Sequence, residues 1–157
     1  MNESDRLLNQ AIDVYLTGLR GLEAFVSEPS AVYSLSFGQY LILEMITNRP
    51  GVGLYDIAKE RNVTRSAVTR QMKTLVDKGY VIQDPDPKDR RRQILVVTSK
   101  GKEVEQKITE SVRKRFASWV KVYGAERGKQ LLDLLTEFNQ QIIQMKPEDD
   151  QKEDNDD

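Results

Sequence analysis

The sequence predicts a mainly α-helical chain carrying one small β-hairpin, an α+β arrangement in which helices dominate. Three observations support this. Apolar residues recur at helical spacing over most of the chain, short β-branched runs replace that period only around residues 80–97, and capping residues, glycines and prolines fall at the joints. At 157 residues the chain is long enough for one well-cored domain and short for two of ordinary size.

The elements follow in order. Leu7, Leu8, Ala11, Val14, Tyr15, Leu19, Leu22, Phe25 and Val26 make residues 5–27 one long amphipathic helix, with Pro29 expected to end it. Ser36 and Gln39 form a capping box before the apolar Tyr40, Leu41, Leu43, Met45 and Ile46, and this helix should stop ahead of Pro50 and Gly51. A short helix is expected over about Leu54–Arg61. Another starts at an N-cap, Thr64, and runs to about Lys78, closed by Gly79. Tyr80–Ile82 and Ile94–Val97 read as strands, and the two prolines and many charges of residues 84–92 read as the loop of a protruding hairpin, a wing. Thr98 then caps a long helix whose stripe is Val104, Ile108, Val112, Phe116, Trp119 and Tyr123. Gly124 breaks it, and a last helix carries Leu131, Leu134, Leu135, Phe138, Ile142 and Met145.

Composition narrows the chemistry. There is no cysteine and no histidine, which removes disulfides, thiolate metal sites, cysteine redox sensing and the commonest general base and transition-metal ligand. No cofactor or metal is implied. An enzyme would have to rest on carboxylate pairs such as Glu103 and Glu105, which at two residues apart on a helix point away from each other. No stretch approaches the roughly 18 uncharged residues of a membrane span, so a soluble, cytoplasmic protein is expected. The net charge of −1 conceals segregation: residues 51–102 hold twelve basic and six acidic groups, a net of +6, and residues 147–157 hold one and seven, a net of −6. A phosphate backbone responds to such a local patch and not to the overall sum.

Residues 54–75 have the character of a helix-turn-helix. Two helices crossing sharply over a few residues need a small side chain at the contact, where Ala58 falls, and a left-handed residue at the turn, where Asn62 falls. Ile57, Val63, Val68, Met72 and Leu75 are expected to lock the second helix. Val68, Met72, Leu75 and Val76 then share one face, leaving Arg65, Ser66, Thr69, Arg70 and Lys73 on the other. Arginine grips guanine bidentately and hydroxyls bond base edges or phosphate, so this face suits a major groove. Its bland counterpart is an ordinary solvated helix face. Lys88, Arg90, Arg91 and Arg92 at the wing tip favour the first reading, because they can reach phosphates or the minor groove beside that helix. Asp86 and Asp89 would repel DNA there unless they hold arginines in place, and Asp89–Arg91 as a plain surface ion pair is the alternative.

Asp86-Pro87-Lys88-Asp89-Arg90-Arg91 followed by Ile94-Leu95-Val96-Val97-Thr98-Ser99-Lys100-Gly101 resembles the wing signature of the multiple antibiotic resistance regulator (MarR) family. The upstream helix-turn-helix and the long helices at both ends extend the likeness to about Met145. The resemblance implies a winged helix-turn-helix in a homodimer with interlocked terminal helices, reading a pseudopalindrome in double-stranded DNA. It implies that Thr64 through Lys73 form the recognition helix and that Asp89 positions Arg91 for the minor groove. It also implies a small aromatic or anionic effector in the crevice between the dimer helices and the DNA-binding lobe. Branches sensing oxidation or zinc use cysteine or histidine, which this chain lacks.

The resulting division is 1–35 as an N-terminal dimerisation helix, 36–102 as the winged DNA-binding lobe, 103–146 as C-terminal dimerisation helices and 147–157 as a disordered acidic tail. The terminal helices could instead pack on one another within a single chain. The function expected is a transcriptional regulator, a repressor in the first instance, with activation equally compatible. The other readings are a winged-helix module for protein contact and a nonspecific architectural DNA binder. The tail is either a solubilising end or a competitor of DNA for the basic lobe. Trp119, Tyr15, Tyr40 and Phe37 are candidates for an aromatic crevice or for plain core.

Overall fold

The computed structural model describes residues 2–90 and 93–143. The chain divides into two compact units, residues 1–113 and 114–157, with the boundary inside one long helix.

The first unit opens with α1 (Glu3–Val14). Its start was invisible in the apolar pattern: Asn2 accepts from the Asp5 amide at 2.8 Å and donates its own amide to the Asp5 carboxylate at 3.1 Å, satisfying two amides the helix cannot. A π-helical turn, Tyr15–Leu19, joins α1 to α2 (Arg20–Ala31). Pro29 does not end this helix as expected but lies inside it, two residues before its end. A proline removes one hydrogen bond and crowds the preceding turn. Here it does so in the last turn, where Pro29 and Ser30 are buried, the Ser30 hydroxyl donates to the Ser27 carbonyl at 2.8 Å, and α2 meets the next helix.

α3 (Phe37–Asn48) begins at the expected box, Ser36 accepting from the Gln39 amide and Gln39 returning the bond to the Ser36 amide. α4 (Leu54–Glu60) and α5 (Arg65–Asp77) follow. The hairpin β1 (Val81–Pro85) and β2 (Gln93–Val97) is antiparallel, with Val81 opposite Val97 and Pro85 opposite Gln93. β1 therefore runs three residues past the predicted Ile82. Its outer residues are exposed and gain from ladder hydrogen bonds without entering a core, so no apolar alternation announces them.

α6 (Ser99–Tyr123) starts at Thr98, whose hydroxyl accepts from the Gly101 amide at 3.0 Å and donates to the Gly79 carbonyl at 2.7 Å. Gly101 has a strict role: a Cβ there would stand 2.1 Å from the Tyr80 carbonyl oxygen, so only glycine lets α6 cross the start of the hairpin.

The core is continuous and lies entirely between Leu35 and Ile108. Ile42, Leu43 and Ile46 of α3 meet Ile57 of α4, Val68, Met72 and Leu75 of α5, Val81 and Leu95 of the hairpin, and Ile108 of α6. Val63, expected in that lock, and Val76, expected on the same apolar face, sit at the rim, 41% and 39% exposed. Tyr40 and Phe37 belong to the core or its edge and Tyr15 is exposed, so these three do not assemble into one aromatic crevice. Tyr40 has a polar duty. Thr109 gives its proton to the Glu105 carboxylate at 2.5 Å, so the Tyr40 hydroxyl, 2.9 Å away, is the donor to Thr109.

In the second unit, Phe116, Trp119 and Tyr123 stack along the end of α6 with ring centroids 5.2 and 5.5 Å apart. Gly124, at φ 94°, breaks the helix as expected and α7 (Ala125–Phe138) follows, passing into a π-helical turn, Asn139–Ile143. Met145 and the acidic segment 147–157 lie outside the described residues. No helix of the described residues is long and apolar enough to cross a membrane.

Candidate nucleic-acid interface

The turn between α4 and α5 has the geometry its residues imply. Asn62 sits at φ 50°, the left-handed region that asparagine tolerates best after glycine. The chain reverses there through the Asn62 amide on the Lys59 carbonyl and the Val63 amide on the Ala58 carbonyl, at 3.2 and 3.0 Å. Ala58 is buried at the crossing, where a larger side chain would push the helices apart. Thr64 caps α5 by accepting from the Ala67 amide at 3.2 Å.

With Val68, Met72 and Leu75 buried, α5 presents Arg65, Ser66, Thr69, Arg70 and Lys73, all exposed. The Thr69 hydroxyl donates to the Arg65 carbonyl at 2.9 Å, so its free lone pairs offer an acceptor to a ligand. Thr64 and Ser66 share a hydrogen bond at 3.1 Å. These α5 side chains line one wall of an open concavity of about 750 Å³ whose other edge is Gln83 of β1. Gln83 was not singled out in the sequence, because an exposed glutamine in a short strand carries no pattern.

On the wing, Lys88, Asp89 and Arg90 are exposed, and the Lys88 amide donates to the Asp86 carboxylate at 2.8 Å, closing a turn that projects the tip. Asp86 thus has a structural task. Arg91 and Arg92 lie outside the described residues, so the pairing expected between Asp89 and Arg91 does too. Among the described residues no cluster of carboxylates suited to a metal ion occurs.

The sequence reading missed the residue that fastens the recognition helix. Arg61, at the end of α4, donates one guanidinium nitrogen to the Gly38 carbonyl of α3 at 3.1 Å and to the Gln71 side chain of α5 at 3.0 Å. Gln39 of α3 likewise donates to Thr74 of α5 at 3.0 Å. Three helices are pinned together by these polar side chains, and the sequence does not announce it, since hydrogen bonding between distant segments leaves no periodic mark. At the other end of α5, Lys100 donates to the Lys78 carbonyl at 2.9 Å and lies over the Tyr80 ring.

Comparison with known proteins agrees with this architecture. Residues 35–92, which hold α3, the helix-turn-helix and the wing tip, match the model of the MarR family. A protein of Thauera aromatica described as a transcriptional regulatory protein for its hcr operon is 31% identical over 66% of this chain, and the chain spans 63% of that relative's length. The crystal structure of the MarR family transcription regulator SP03579 superposes with a TM-score of 0.73 at 18% identity, covering 88% of this chain and 91% of that one. Staphylococcus aureus MarR in complex with salicylate and kanamycin gives 0.70 at 16% identity, covering 92% and 97%. At those identities the structural likeness is one of fold. The matched segment coincides with the helix-turn-helix and wing, and the fold is that of solved MarR-family regulators.

Proposed function

We propose that the protein binds duplex DNA as a homodimer at a pseudopalindromic operator and acts as a repressor by occupying it. The observation that carries this is the exposed cationic face of α5, Arg65, Arg70 and Lys73 interleaved with Ser66 and Thr69, on a rigid, capped helix beside the Lys88–Arg90 wing. The helix supplies groups for base edges in the major groove, and the wing, with Arg91 and Arg92, supplies cations for phosphates and the adjacent minor groove.

Dimerisation rests on a separate fact. Leu7 and Leu8 of α1 are each 60% exposed, Leu134 of α7 is 65% exposed, and Ile12, Leu16, Leu22, Leu132, Leu135 and Phe138 are also open to solvent. Apolar faces of this extent mark protein contacts, and a second copy is the partner that gives a two-fold reader of an inverted repeat. An effector reading rests on a concavity of about 720 Å³ bounded by Leu22, Val26, Phe37, Gly38, Arg61 and Gln71. An aromatic anion there would meet apolar walls and the Arg61 guanidinium. By drawing Arg61 from Gly38 and Gln71 it would loosen the seat of α5 and lower DNA affinity. The salicylate named with the S. aureus protein is the natural first probe.

The test is selection from a random duplex library at near-physiological salt, where specific sites exceed nonspecific ones by about 10³ or more. Enrichment of an inverted repeat is expected. Retention without sequence preference would replace this reading with an architectural binder, and no retention would favour a protein-contact module.

A further inference from the structure

We propose that Arg61, with Gln71 and Gly38, is a positioning residue for DNA recognition: this bridge sets the roll of α5 about its own axis, and through it the fit of Arg65, Arg70 and Lys73 to base edges. The inference rests on the DNA-binding reading of α5, and every residue it uses lies in the first unit.

The core holds α5 by one face, through Val68, Met72 and Leu75. Apolar burial is non-directional, whereas a hydrogen bond fails outside a narrow range of distance and angle. The directional contacts lie at the edge of that face. Gln71 and Thr74 are partly buried and three residues apart, so they stand one above the other on α5. Arg61 Nη1 bridges the Gly38 carbonyl and Gln71 Oε1 at 3.1 and 3.0 Å, and such charge-assisted bonds are roughly twice as strong as neutral ones. Gln39 uses both ends of its amide: Oε1 accepts from the Ser36 amide at 2.9 Å and Nε2 donates to Thr74 Oγ1 at 3.0 Å, so the box that starts α3 is also tied to α5. Arg61 is itself the C-cap of α4, one residue before the left-handed turn at Asn62. Three helices therefore converge on one guanidinium.

Gly38 makes room for that bridge. A Cβ there would stand 3.1 Å from Gln71 Nε2 and 3.3 Å from Arg61 Nη2. Both atoms are the ends of flexible side chains, so an alanine displaces the bridge by a few tenths of an ångström and leaves backbone and core in place. The leverage is geometric. Side chains reach about 5–6 Å from a helix axis, so a roll of about 10° carries their ends by about 1 Å. Reading a base edge requires placement within about 0.5 Å and 10–20°. Attraction to phosphates is a summed effect of charge and tolerates such a shift. The bridge thus governs discrimination between sequences and not the general affinity for duplex.

The test measures three full-length variants on two duplexes, the inverted repeat enriched by selection and a random sequence. Gly38→Ala and Gln71→Met preserve every charge, and Arg61→Met removes the bridging group itself. Operator affinity should fall about tenfold in each, the worth of one misaligned base contact. In the two charge-preserving variants the random-duplex affinity and its salt slope should stay at the parental values. Combining Arg61→Met with Gln71→Met should lose little more than Arg61→Met alone, because both break one bridge. Gly38→Ala separates positioning from plain stability: alanine is favoured over glycine inside a helix, so its thermal midpoint should equal or exceed the parent's while operator affinity falls. An unchanged operator-to-random ratio in Gly38→Ala and Gln71→Met overturns the inference, as does a ratio that falls only in step with thermal stability. If the parent itself shows no preference between the duplexes, the reading of α5 as a sequence-specific helix fails, and this inference with it.

Discussion

The winged lobe and the terminal helices are built from the same kinds of residue and reach opposite ends. In the lobe, Ile42, Leu43, Ile57, Val68 and Leu75 are sealed from solvent, and polar bonds from Arg61, Gln39 and Lys100 clamp the helices that carry them. In α1, α2 and α7, leucines just as apolar stay between 39% and 65% exposed. A helix can satisfy its backbone alone but cannot bury its own stripe, which needs a partner surface.

The sharpest break in that contrast is Gly101→Ala. With the Tyr80 carbonyl 2.1 Å from the new Cβ, and backbone on both sides, α6 must leave the hairpin, so a loss of about 3 kcal/mol or more is expected in urea unfolding. A near-native midpoint would show that the crossing yields. Next, Leu134→Glu with Leu135→Glu should halve the mass seen by sedimentation at micromolar concentration while the lobe keeps its fold, because charge on the α7 face affects only what covers it. An unchanged dimer mass would move the interface elsewhere.

On the DNA face the effects separate binding from stability. Arg70→Ala should cost about 1–3 kcal/mol of operator affinity if it grips a guanine, and Lys73→Ala should reduce the salt slope by about 1 if it meets a phosphate. Both should unfold within about 0.5 kcal/mol of the parent, since neither is packed. Asn62→Ala should destabilise the lobe by about 1 kcal/mol through its φ of 50°, whereas Asn62→Gly should be nearly neutral.

The smallest effect expected is at alkaline pH. Burial raises the Tyr40 phenol above the ordinary tyrosine value, and the carboxylates of Glu105 and Glu44 push the same way. A group whose folded value is raised contributes stability that is intact below its unfolded value and lost as pH climbs through the folded one. Stability should thus decline above about pH 10, more steeply than in Tyr40→Phe. Parallel curves would detach that decline from Tyr40.

Much of this was legible in the residues. The Ser36–Gln39 box, the Thr64 cap, Asn62 at the turn and Gly124 at the break are local: each answers the needs of a backbone within a few residues of itself, and the structure places each as read. Misreadings arose where a local rule met a tertiary reason. Pro29 reads locally as a terminator, yet it is carried in the last turn of α2, and β1 continues to Pro85 because pairing with β2 does not need apolar side chains. Val63 and Val76 look like core by spacing and sit at its rim.

The sequence by itself determined the order of helices and hairpin, the face of α5 that carries its cations and the absence of histidine and cysteine, because periodicity, caps and composition are properties of neighbours along the chain. Only the tertiary structure decided that Arg61 and Gln39 fasten the recognition helix, that Gly101 admits the Tyr80 carbonyl, and which apolar stripes are buried and which stand open. Those facts depend on which distant segments meet, and contact between distant segments is fixed by packing of the whole core, not by any window of the sequence.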